Sequence, residues 1–449
     1  MSASEIARDI QEQLATGDAG AILDRIGRLQ PFDRAEMLAG LPHEEQLRLV
    51  SLLPTNVAAE TLEYLEPELQ YRILDHLDEH VAAAVLQQMS SDTVVDLLLA
   101  LHPHQAARLK AWLPPEYRQR LQTLMTFPEN TAGSLATIDY IAAREGWTVQ
   151  QALDHVRKVG HEAEVVSYIY VVDARGRLVS VASLRELILA DPRAPLSSVG
   201  RKDVISVRAT ADQEEAARIL SRYDFVALPV VDNHDRLIGI VTVDDIVDVI
   251  HQEATEDIHK LGGSEPLAES YFKTPVWLLF RKRVGWLLVL FVAQAYTGTV
   301  LRHFEATLSQ MVALAFFIPL LIGTGGNTGS QTVATLVRAL AVGEVDFRDI
   351  LRVLGREVAT GALLGTVMAV ASYVRAVTLG VGFELGPVVA LSALFIVVWA
   401  STVAAVLPLV LHRLGVDPAV VSGPFITTLV DGTGLFLYFT IASLLLQAG

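Results

Sequence analysis

The stretch ITTLVDGTGLFLYFTIASLLL, residues 426–446, is long and apolar enough to cross a lipid bilayer, yet it contains one carboxylate, Asp431. An α-helix needs about 20 apolar residues to span the hydrocarbon core. Asp431 is the only charged residue between Asp417 and Gly449. A charge near the centre of a membrane helix costs about 2.5 to 3.5 kcal/mol on insertion scales. Its presence here therefore predicts a specific role.

Four other apolar stretches precede this one, and each is long enough to span a membrane. The five stretches are 284–301, 307–342, 358–381, 385–411 and 418–446. As a single helix the second would be about 54 Å long, which is too long for the hydrocarbon core. It contains Pro319 and the segment GTGGNTGSQ (323–331), so we expect it to be bent or broken. The sequence predicts an all-α membrane domain of five transmembrane helices over residues 271–449.

Charge divides the chain into two unequal parts. Residues 1–270 carry 24 Lys or Arg and 43 Asp or Glu, whereas residues 271–449 carry 11 and 8. The acidic part should attract cations and repel nucleic-acid phosphates, so nucleic acid is not an expected partner. Basic residues flank the apolar stretches mainly on the side of residues 1–270, which predicts cytoplasmic N-terminal domains and an external C-terminus. The chain has no cysteine, which excludes disulfides and cysteine metal sites.

Residues 1–128 contain a short internal repeat. Leucine or methionine recurs at every twelfth position, and proline follows within two positions at six of the eight. The recurring positions are Leu29, Leu41, Leu53, Leu65, Leu77, Met89, Leu101 and Leu113. The pattern predicts an α-helical, superhelical N-terminal domain of helices about two turns long. An ordinary small helical domain is the alternative.

Residues 129–250 contain a second repeat. The segment YVVDARGRLVSVASLRELI (170–188) aligns without a gap with PVVDNHDRLIGIVTVDDIV (229–247). Each copy predicts a strand, a turn, a strand and a helix, with Ser183 or Thr242 placed to cap the helix. The region resembles a tandem pair of α/β CBS domains. That resemblance implies a small regulatory ligand such as a nucleotide, with ATP as one candidate.

A connector, HQEATEDIHKLGGSEPLAES (251–270), joins the two parts of the chain. Its first half predicts an acidic helix, and Gly262 with Gly263 should end that helix.

The membrane part offers a candidate ion site. Asp431 predicts a cation site in a water-filled path, and the alternative is a structural carboxylate bonded to nearby threonines or to a buried arginine. Glycine costs roughly 1 kcal/mol in a helix interior relative to alanine, so we expect GTGGNTGSQ to be non-helical and to face a cavity. Close helix packing through small residues is the alternative. The candidate ligands are oxygen donors, which suit a hard divalent cation such as Mg²⁺: Asp431, Asn327, Thr428 and the carbonyl groups of Gly325 and Gly326.

Four motifs together resemble the MgtE-type magnesium channel family. They are EATEDIHKLG (253–262), PLLIGTGGNTGSQ (319–331), GVDPAVVSGP (415–424) and TLVDGTG (428–434). The resemblance extends over nearly the whole chain. It implies a homodimer among the lipids of the cell (inner) membrane, with a pore lined mainly by the second and fifth helices. It also implies that Asp431 holds hydrated Mg²⁺ and that the 251–270 helix plugs the pore when cytoplasmic Mg²⁺ is high.

Carboxylates of the acidic part are candidate ligands for regulatory Mg²⁺. Like charges repel, and an interposed divalent cation converts this repulsion into attraction. The resemblance implies such ions between the N-terminal domain, the CBS pair and the connector. The candidates are Glu60, Asp92, Asp212, Glu214, Asp224, Asp245, Asp248, Glu253, Glu256 and Asp257. The alternative is that most of these are solvated surface charges.

The sequence thus predicts a Mg²⁺-selective channel that imports magnesium and is closed by cytoplasmic Mg²⁺. One alternative is a coupled carrier or exchanger of Mg²⁺, Mn²⁺ or Co²⁺. Another is a membrane-anchored sensor of Mg²⁺ or nucleotide. An enzyme is not expected, because the membrane half contains no nucleophile–base pair and no redox motif.

Overall fold

The structure is a computed structural model that describes residues 10–11, 19–161, 163–267 and 271–447. Parts of the predicted N-terminal domain (1–9 and 12–18) and of the predicted connector (268–270) lie outside these residues. The chain forms two compact units, Met1–Ile250 and His251–Gly449.

From Ala19 onward, the described part of the first unit contains nine short helices before the sheets, α1 to α9. They are Ala19–Gly27, Pro31–Ala39, His43–Leu52, Thr55–Leu62, Pro67–His76, Glu79–Gln88, Ser91–Ala100, Pro103–Trp112 and Pro115–Leu124. From α2 onward the helices start at even intervals that equal the period of the leucine repeat. The periodic residue commonly follows the last helical turn in an extended conformation, as Leu53 and Met89 do, and its side chain packs into the core. Helices two apart in sequence pack together, which confirms the predicted helical repeat.

Two three-stranded sheets follow. The first contains β1 (Tyr140–Arg144), β2 (Val165–Val172) and β3 (Leu178–Ser183), and the second contains β4 (Val207–Arg208), β5 (Ala227–Val231) and β6 (Leu237–Thr242). In each sheet the first strand is parallel to the second, and the second is antiparallel to the third. The associated helices are α10 (Val149–Val159), α11 (Leu184–Leu189), α12 (Gln213–Tyr223) and α13 (Val243–Leu261). β3 and β6 begin at Leu178 and Leu237, which are equivalent positions in the aligned segments, and this confirms the predicted repeat.

The predicted helix caps occupy equivalent positions in the two CBS copies. Ser183 Oγ accepts the N–H of Glu186 at 3.2 Å, and the Glu186 carboxylate accepts the N–H of Ser183 at 2.9 Å. In the second copy, Thr242 Oγ1 donates to the carboxylate of Asp245 at 2.8 Å. Asp245 therefore has a local structural role, whatever else it binds.

The predicted connector helix is part of a longer helix. α13 runs from Val243 to Leu261, so the last helix of the second CBS copy continues into the connector without a break. The helix ends at Leu261, directly before the predicted Gly262 and Gly263, and Gly263 has a φ of 72°. This left-handed conformation is the usual glycine signal for a helix end.

The described residues of the second unit contain five helices long and apolar enough to cross a membrane. They are α14 (Val276–His303), α16 (Ile318–Ala341), α17 (Ile350–Thr378), α18 (Gly382–Arg413) and α19 (Gly423–Gln447), with the short α15 (Glu305–Gln310) after the first. A 3₁₀ turn at Val312–Phe317 precedes α16. The long apolar stretch 307–342 is therefore broken, as expected, but before Pro319 rather than within the glycine-rich segment.

The expectation that residues 323–331 are non-helical is wrong, because they lie inside α16. A Cβ on Gly325 would lie 2.6 Å from Ile396 of α18, one on Gly326 would lie 2.8 Å from Thr427 of α19, and one on Gly329 would lie 2.5 Å from Ile426. Close packing against α18 and α19 offsets the low helix propensity of these glycines. Gly325 and Gly326 therefore have a packing role, and the predicted ligand role of their carbonyl groups loses its basis in a non-helical backbone.

This packing makes a stability prediction with an internal control. Gly329→Ala should lower the melting temperature of the detergent-solubilised protein, since overpacking typically costs about 1–3 kcal/mol. Gly323→Ala, on the same helix, meets nothing within 4 Å and should be neutral or stabilising. Equal melting temperatures for the two variants would contradict the packing assignment.

The fifth membrane helix starts later than predicted. Asp417 caps a 3₁₀ turn, Pro418–Val420, and α19 begins only at Gly423, where Ser422 Oγ accepts the N–H of Phe425 at 3.3 Å. Asp431 is therefore about 12 Å along α19 from its start at Gly423.

Candidate ion-binding sites

Asp431 lies within the membrane unit and is 9% exposed. Its Oδ2 accepts a hydrogen bond of 3.4 Å from Nε2 of Gln294 in α14. The ion pairs in the described part of this unit involve Glu256, Asp417 and Glu265, and none involves Asp431. Because buried charges are normally paired or coordinate cations, a buried carboxylate beside a neutral amide favours a cation site over an arginine pair.

The neighbouring threonines bond to their own helix rather than to Asp431. Thr427 Oγ1 donates to the carbonyl oxygen of Gly423 at 3.0 Å, and Thr428 Oγ1 donates to that of Pro424 at 2.9 Å. Thr433 donates to Leu429 in the same manner and accepts from Trp399. Because these threonine hydroxyls bond elsewhere among the described residues, the alternative of a structural carboxylate held by threonines has no support.

Asn327 is the other predicted side-chain ligand in the membrane unit. It is exposed on the surface of α16, while its neighbours Gly326 and Thr328 are buried. An amide exposed at membrane depth requires water, an ion or another protein surface as its partner. This position agrees with a polar path for ions along α16. Among the described residues, Asn327 and Asp431 form no hydrogen bond with each other.

Near the end of the connector helix lies an ion pair that the sequence analysis did not predict. The Lys260 ammonium group pairs with Glu256 on the same helix and with Asp417 Oδ2 at 2.6 Å. Burial lowers the pKa of Lys260, but the hydrogen bonds to Asp417 and Glu256 outweigh this effect and raise it. Burial and the nearby Asp417 raise the pKa of Asp257. Glu256 and Asp257, both predicted ligands, thus lie beside Asp417 in a site that a lysine already partly neutralises.

The first unit contains an acidic cluster, which we define by six residues drawn from the helical repeat and the CBS pair. They are Glu63, Asp92, Asp139, Glu164, Asp244 and Asp245. Ligand oxygens of Glu164, Asp244 and Asp245 all lie within 4.8 Å of one another. Asp92 Oδ1 is buried and has no hydrogen-bond partner among the described residues.

The carboxylates of the acidic cluster repel one another. Glu164 is exposed at the protein surface, but the surrounding protein removes part of its hydration, and this effect, followed by the charges of Asp92 and Asp245, raises its pKa to about 8. Burial and Asp92 raise the pKa of Asp245 to about 7. Burial also raises the pKa of Asp139, although that carboxylate accepts the N–H of Ser91 at 2.9 Å. Oxygen ligands with this excess of negative charge suit a hard divalent cation.

The remaining predicted regulatory residues have other local roles. The Glu60 carboxylate pairs with the buried Arg34 at 2.7 Å. Asp212 accepts the N–H of Glu214 at the start of α12, and Asp224 ends that helix with a φ of 50°. Asp248 and Glu253 lie on α13. Among the described residues none of these joins a group of three closely spaced carboxylates.

The sequence analysis did not predict Glu63, Asp139, Glu164 and Asp244 of the acidic cluster, nor Gln294 and Lys260 of the second unit. Glu164 and Gln294 have no motif around them, and each meets its partner across a long separation in the chain. Lys260 carried a signal, because it is four positions after Glu256 on a predicted helix, which is ion-pair spacing.

A cavity of about 360 Å³ opens between the two CBS copies. Tyr168 and Tyr170 line it from the first copy, and Phe225 and Pro229 from the second. Arg201 contributes a positive charge. Glu186, Asp203 and Asp224 also line the cavity, so the aromatic walls suit a flat ligand such as a nucleobase, and Arg201 is the cation available to a phosphate group.

Comparison with known proteins assigns the chain to a family. It is 43% identical to the magnesium transporter MgtE of Thermus thermophilus over 447 residues, which cover 99% of both proteins. It is 34% identical to the magnesium transporter MgtE of Bacillus subtilis over 418 residues, which cover 93% of this chain and 92% of the relative. The chain belongs to the MgtE family.

Family domains match most of the chain. Residues 29–130 match the MgtE intracellular N domain, 132–193 and 196–252 match CBS domains, and 318–441 match the MgtE divalent cation transporter domain. The predicted boundaries at 128, 250 and 270 stay predictions. Membership in the MgtE family and the five membrane-length helices make this chain a multi-pass membrane transporter, which confirms that it is not an enzyme.

Solved structures resemble the first unit of this MgtE-family chain. The crystal structure of the cytosolic domain of the Mg²⁺ channel MgtE in complex with ATP is 41% identical, with a TM-score of 0.51 and coverage of 54% of this chain and 99% of its own. The structure of the soluble part of a magnesium transporter is 30% identical, with a TM-score of 0.53 and coverage of 56% and 100%. These neighbours confirm the predicted fold class of helical domain plus CBS pair.

The acidic cluster of this MgtE-family chain makes a pH prediction. The pKa of Glu164 rises from 4.5 to about 8 and that of Asp245 from 3.8 to about 7. At pH values between the ordinary and the raised pKa of these two groups, the folded state binds more protons than the unfolded state. The free energy of unfolding therefore falls as the pH rises through this range. With a chelator present, the melting temperature of the first unit should be lower at pH 8 than at pH 6.

Two controls make this test specific. Glu164→Gln removes one titrating group and should flatten the pH dependence, and millimolar Mg²⁺ should raise the melting temperature most at pH 8. A melting temperature that rises from pH 6 to pH 8 in the chelator, in parallel for both proteins, would contradict the assignment.

Proposed function

We propose that this protein is a Mg²⁺-selective channel that imports magnesium into the cytoplasm and closes when cytoplasmic Mg²⁺ binds its acidic domains. The observation that carries the proposal is Asp431, a buried carboxylate in a membrane helix with a neutral amide as its hydrogen-bond partner. The names of the relatives, magnesium transporter and Mg²⁺ channel, support magnesium as the cargo.

Asp431 holds Mg²⁺ in this proposal through the water shell of the ion. Mg²⁺ dehydrates reluctantly and usually binds through one or two carboxylates while keeping several waters. A second copy of the chain in a homodimer brings a second Asp431 to the same axis. The exposed Asn327 on α16 lies in the same unit and completes a polar lining.

Closure by cytoplasmic Mg²⁺ rests on two groups of carboxylates. In the acidic cluster, Asp92 from the helical repeat and Asp245 from the CBS pair repel each other, and a divalent cation between them reverses this interaction. In the second unit, Glu256 and Asp257 of the connector lie beside Asp417 at the start of the last membrane segment. Mg²⁺ must bind the closed state more tightly than the open state for this regulation to work.

We also propose that the CBS pair binds ATP in the cavity lined by Tyr168, Tyr170 and Phe225. The neighbouring cytosolic-domain structure that contains ATP supports this ligand. Calorimetric titration of ATP into the whole protein, with Arg201→Ala as the weakened variant, tests the proposal. The absence of heat with the wild-type protein would contradict it.

The proposed setting is a homodimer in the cell (inner) membrane with cytoplasmic N-terminal domains. The two sides of the membrane can be checked with one method, because cysteine is absent from the chain and single introduced cysteines report on one side only. A cysteine near the C-terminus should react with an impermeant reagent added outside intact cells, and one in the CBS pair should not.

Ion flux in liposomes tests the function. The purified protein should pass Mg²⁺ down its electrochemical gradient without a counter-ion, and millimolar Mg²⁺ on the side of the acidic domains should stop the flux. A requirement for Na⁺ or H⁺ moving with or against Mg²⁺ would favour the coupled carrier instead. No flux under either condition would favour the membrane-anchored sensor.

A further inference from the structure

Gln294 is a polar amide in the middle of α14, and most of its neighbours are apolar. In the hydrocarbon region an amide without a partner is costly. Gln294 meets this cost by donating to Asp431 Oδ2 at 3.4 Å, from a distant part of the sequence. Among the described residues, this is the hydrogen bond found to the Asp431 carboxylate.

Thr297, three positions after Gln294, lies on the same face of α14. Its side chain is 8% exposed, and its Oγ1 has no hydrogen-bond partner among the described residues. Thr299 on the same helix shows the usual alternative, because its Oγ1 donates to the carbonyl oxygen of Ala295 at 3.3 Å. A buried hydroxyl group without such a bond indicates a partner from outside the protein, such as water or hydrated cargo.

Gly432 brings α14 close enough for these contacts. A Cβ at Gly432 would lie 2.5 Å from the ring of Tyr296 and 3.3 Å from Thr297 Oγ1. Only a residue without a side chain allows α14 to approach α19 this closely. This close approach places the Gln294 amide and the Thr297 hydroxyl beside Asp431 and Gly432 of α19.

We propose that Gln294, with Thr297, positions the Asp431 carboxylate for hydrated Mg²⁺ and so helps to set ion selectivity. This inference rests on the proposed channel function and adds the first membrane helix to the ion site. The amide holds Oδ2 and leaves Oδ1 to accept hydrogen bonds from the water shell of the ion. The Thr297 hydroxyl is the next polar group available to that water.

The proposed preference for Mg²⁺ over Ca²⁺ follows from the direct coordination that the Gln294 amide prevents. A free carboxylate can turn and bind a cation directly with both oxygens, which suits Ca²⁺, an ion that takes six to eight oxygen ligands. A carboxylate that accepts a hydrogen bond from an amide at one oxygen is less available to bind a cation directly with both oxygens. It therefore favours Mg²⁺, which retains its water molecules.

The test compares flux of Mg²⁺ and Ca²⁺ through wild-type protein and variants in liposomes. Gln294→Met keeps the length of the side chain and removes the donor. It should raise the Mg²⁺ concentration for half-maximal flux and lower the Mg²⁺/Ca²⁺ flux ratio by about three- to tenfold, the range expected for one lost hydrogen bond. Thr299→Val on the same helix should change neither quantity, because the Thr299 hydroxyl donates to Ala295 within α14.

Gln294→Glu is the second variant, in case the methionine variant fails to fold. It has the shape of glutamine but no donor at neutral pH, and its added carboxylate favours direct coordination, so the Mg²⁺/Ca²⁺ ratio should fall here too. A ratio equal to wild type in both variants, with Asp431→Asn inactive, overturns the positioning role and leaves the channel function standing. Normal Mg²⁺ flux through Asp431→Asn overturns both.

Discussion

Asp431→Asn should reduce Mg²⁺ flux at least a hundredfold while the protein folds, inserts and assembles normally. Asparagine has the size of aspartate, and its side-chain carbonyl oxygen can still accept the hydrogen bond from Gln294. The substitution therefore removes the charge and little else. At a site with low local dielectric, that charge is the main attraction for a divalent cation.

The matched control is Glu384→Gln, which also removes one carboxylate from the membrane unit. Glu384 is exposed in the first turn of α18, so its loss should leave flux unchanged. Flux of radioactive or fluorescently detected Mg²⁺ into liposomes measures both variants, and gel filtration verifies their assembly. If Asp431→Asn kept more than a tenth of the wild-type flux, Asp431 would not be the ion site.

Asp92→Asn should raise the cytoplasmic Mg²⁺ concentration needed to close the channel by about tenfold, a loss of roughly 1.4 kcal/mol in binding. Asp92 contributes, after desolvation, to the raised pKa of both Glu164 and Asp245, so it is a neighbour that these two carboxylates share. Removing its charge takes away a ligand and also relieves repulsion in the ion-free state.

These two effects give the prediction two measurements. In the variant, flux should persist at Mg²⁺ concentrations that stop the wild-type protein, and the melting temperature in a chelator at pH 8 should rise. Glu79→Gln, which removes an exposed acid from α6, should alter neither. A variant that closes at the wild-type Mg²⁺ concentration would exclude Asp92 from regulation.

Local patterns made much of the architecture predictable. The periodic leucines mark the ends of short helices because each must be buried where the chain turns, and this requirement is written in the sequence at a fixed spacing. The alignment of the two repeated segments placed both CBS copies, including the caps at Ser183 and Thr242. Five apolar stretches of membrane length could be recognised because the bilayer imposes a minimum length.

Tertiary contacts decided the points where prediction failed. Helix propensity alone predicts a break at Gly325, Gly326 and Gly329, but the surfaces of α18 and α19 that accept these glycines are not visible in the local sequence. The acidic cluster draws Glu164 from one CBS copy and Asp92 from the helical repeat, and no spacing rule joins them. Gln294 was missed for the same reason, since its partner is on another helix.

The equivalent carboxylates at the two helix caps of the CBS pair, Glu186 and Asp245, lie in different electrostatic surroundings. Glu186 accepts the N–H of Ser183, its carboxylate lies 4.0 Å from Arg201, and its pKa is lowered. Asp245, at the equivalent position of the second copy, faces Asp92 and Asp244, and its pKa is raised to about 7. Glu186 therefore lies beside a cation of the protein, whereas Asp245 has no such cation beside it among the described residues. In the regulation proposed above, a magnesium ion in the second copy would take the place that Arg201 takes in the first.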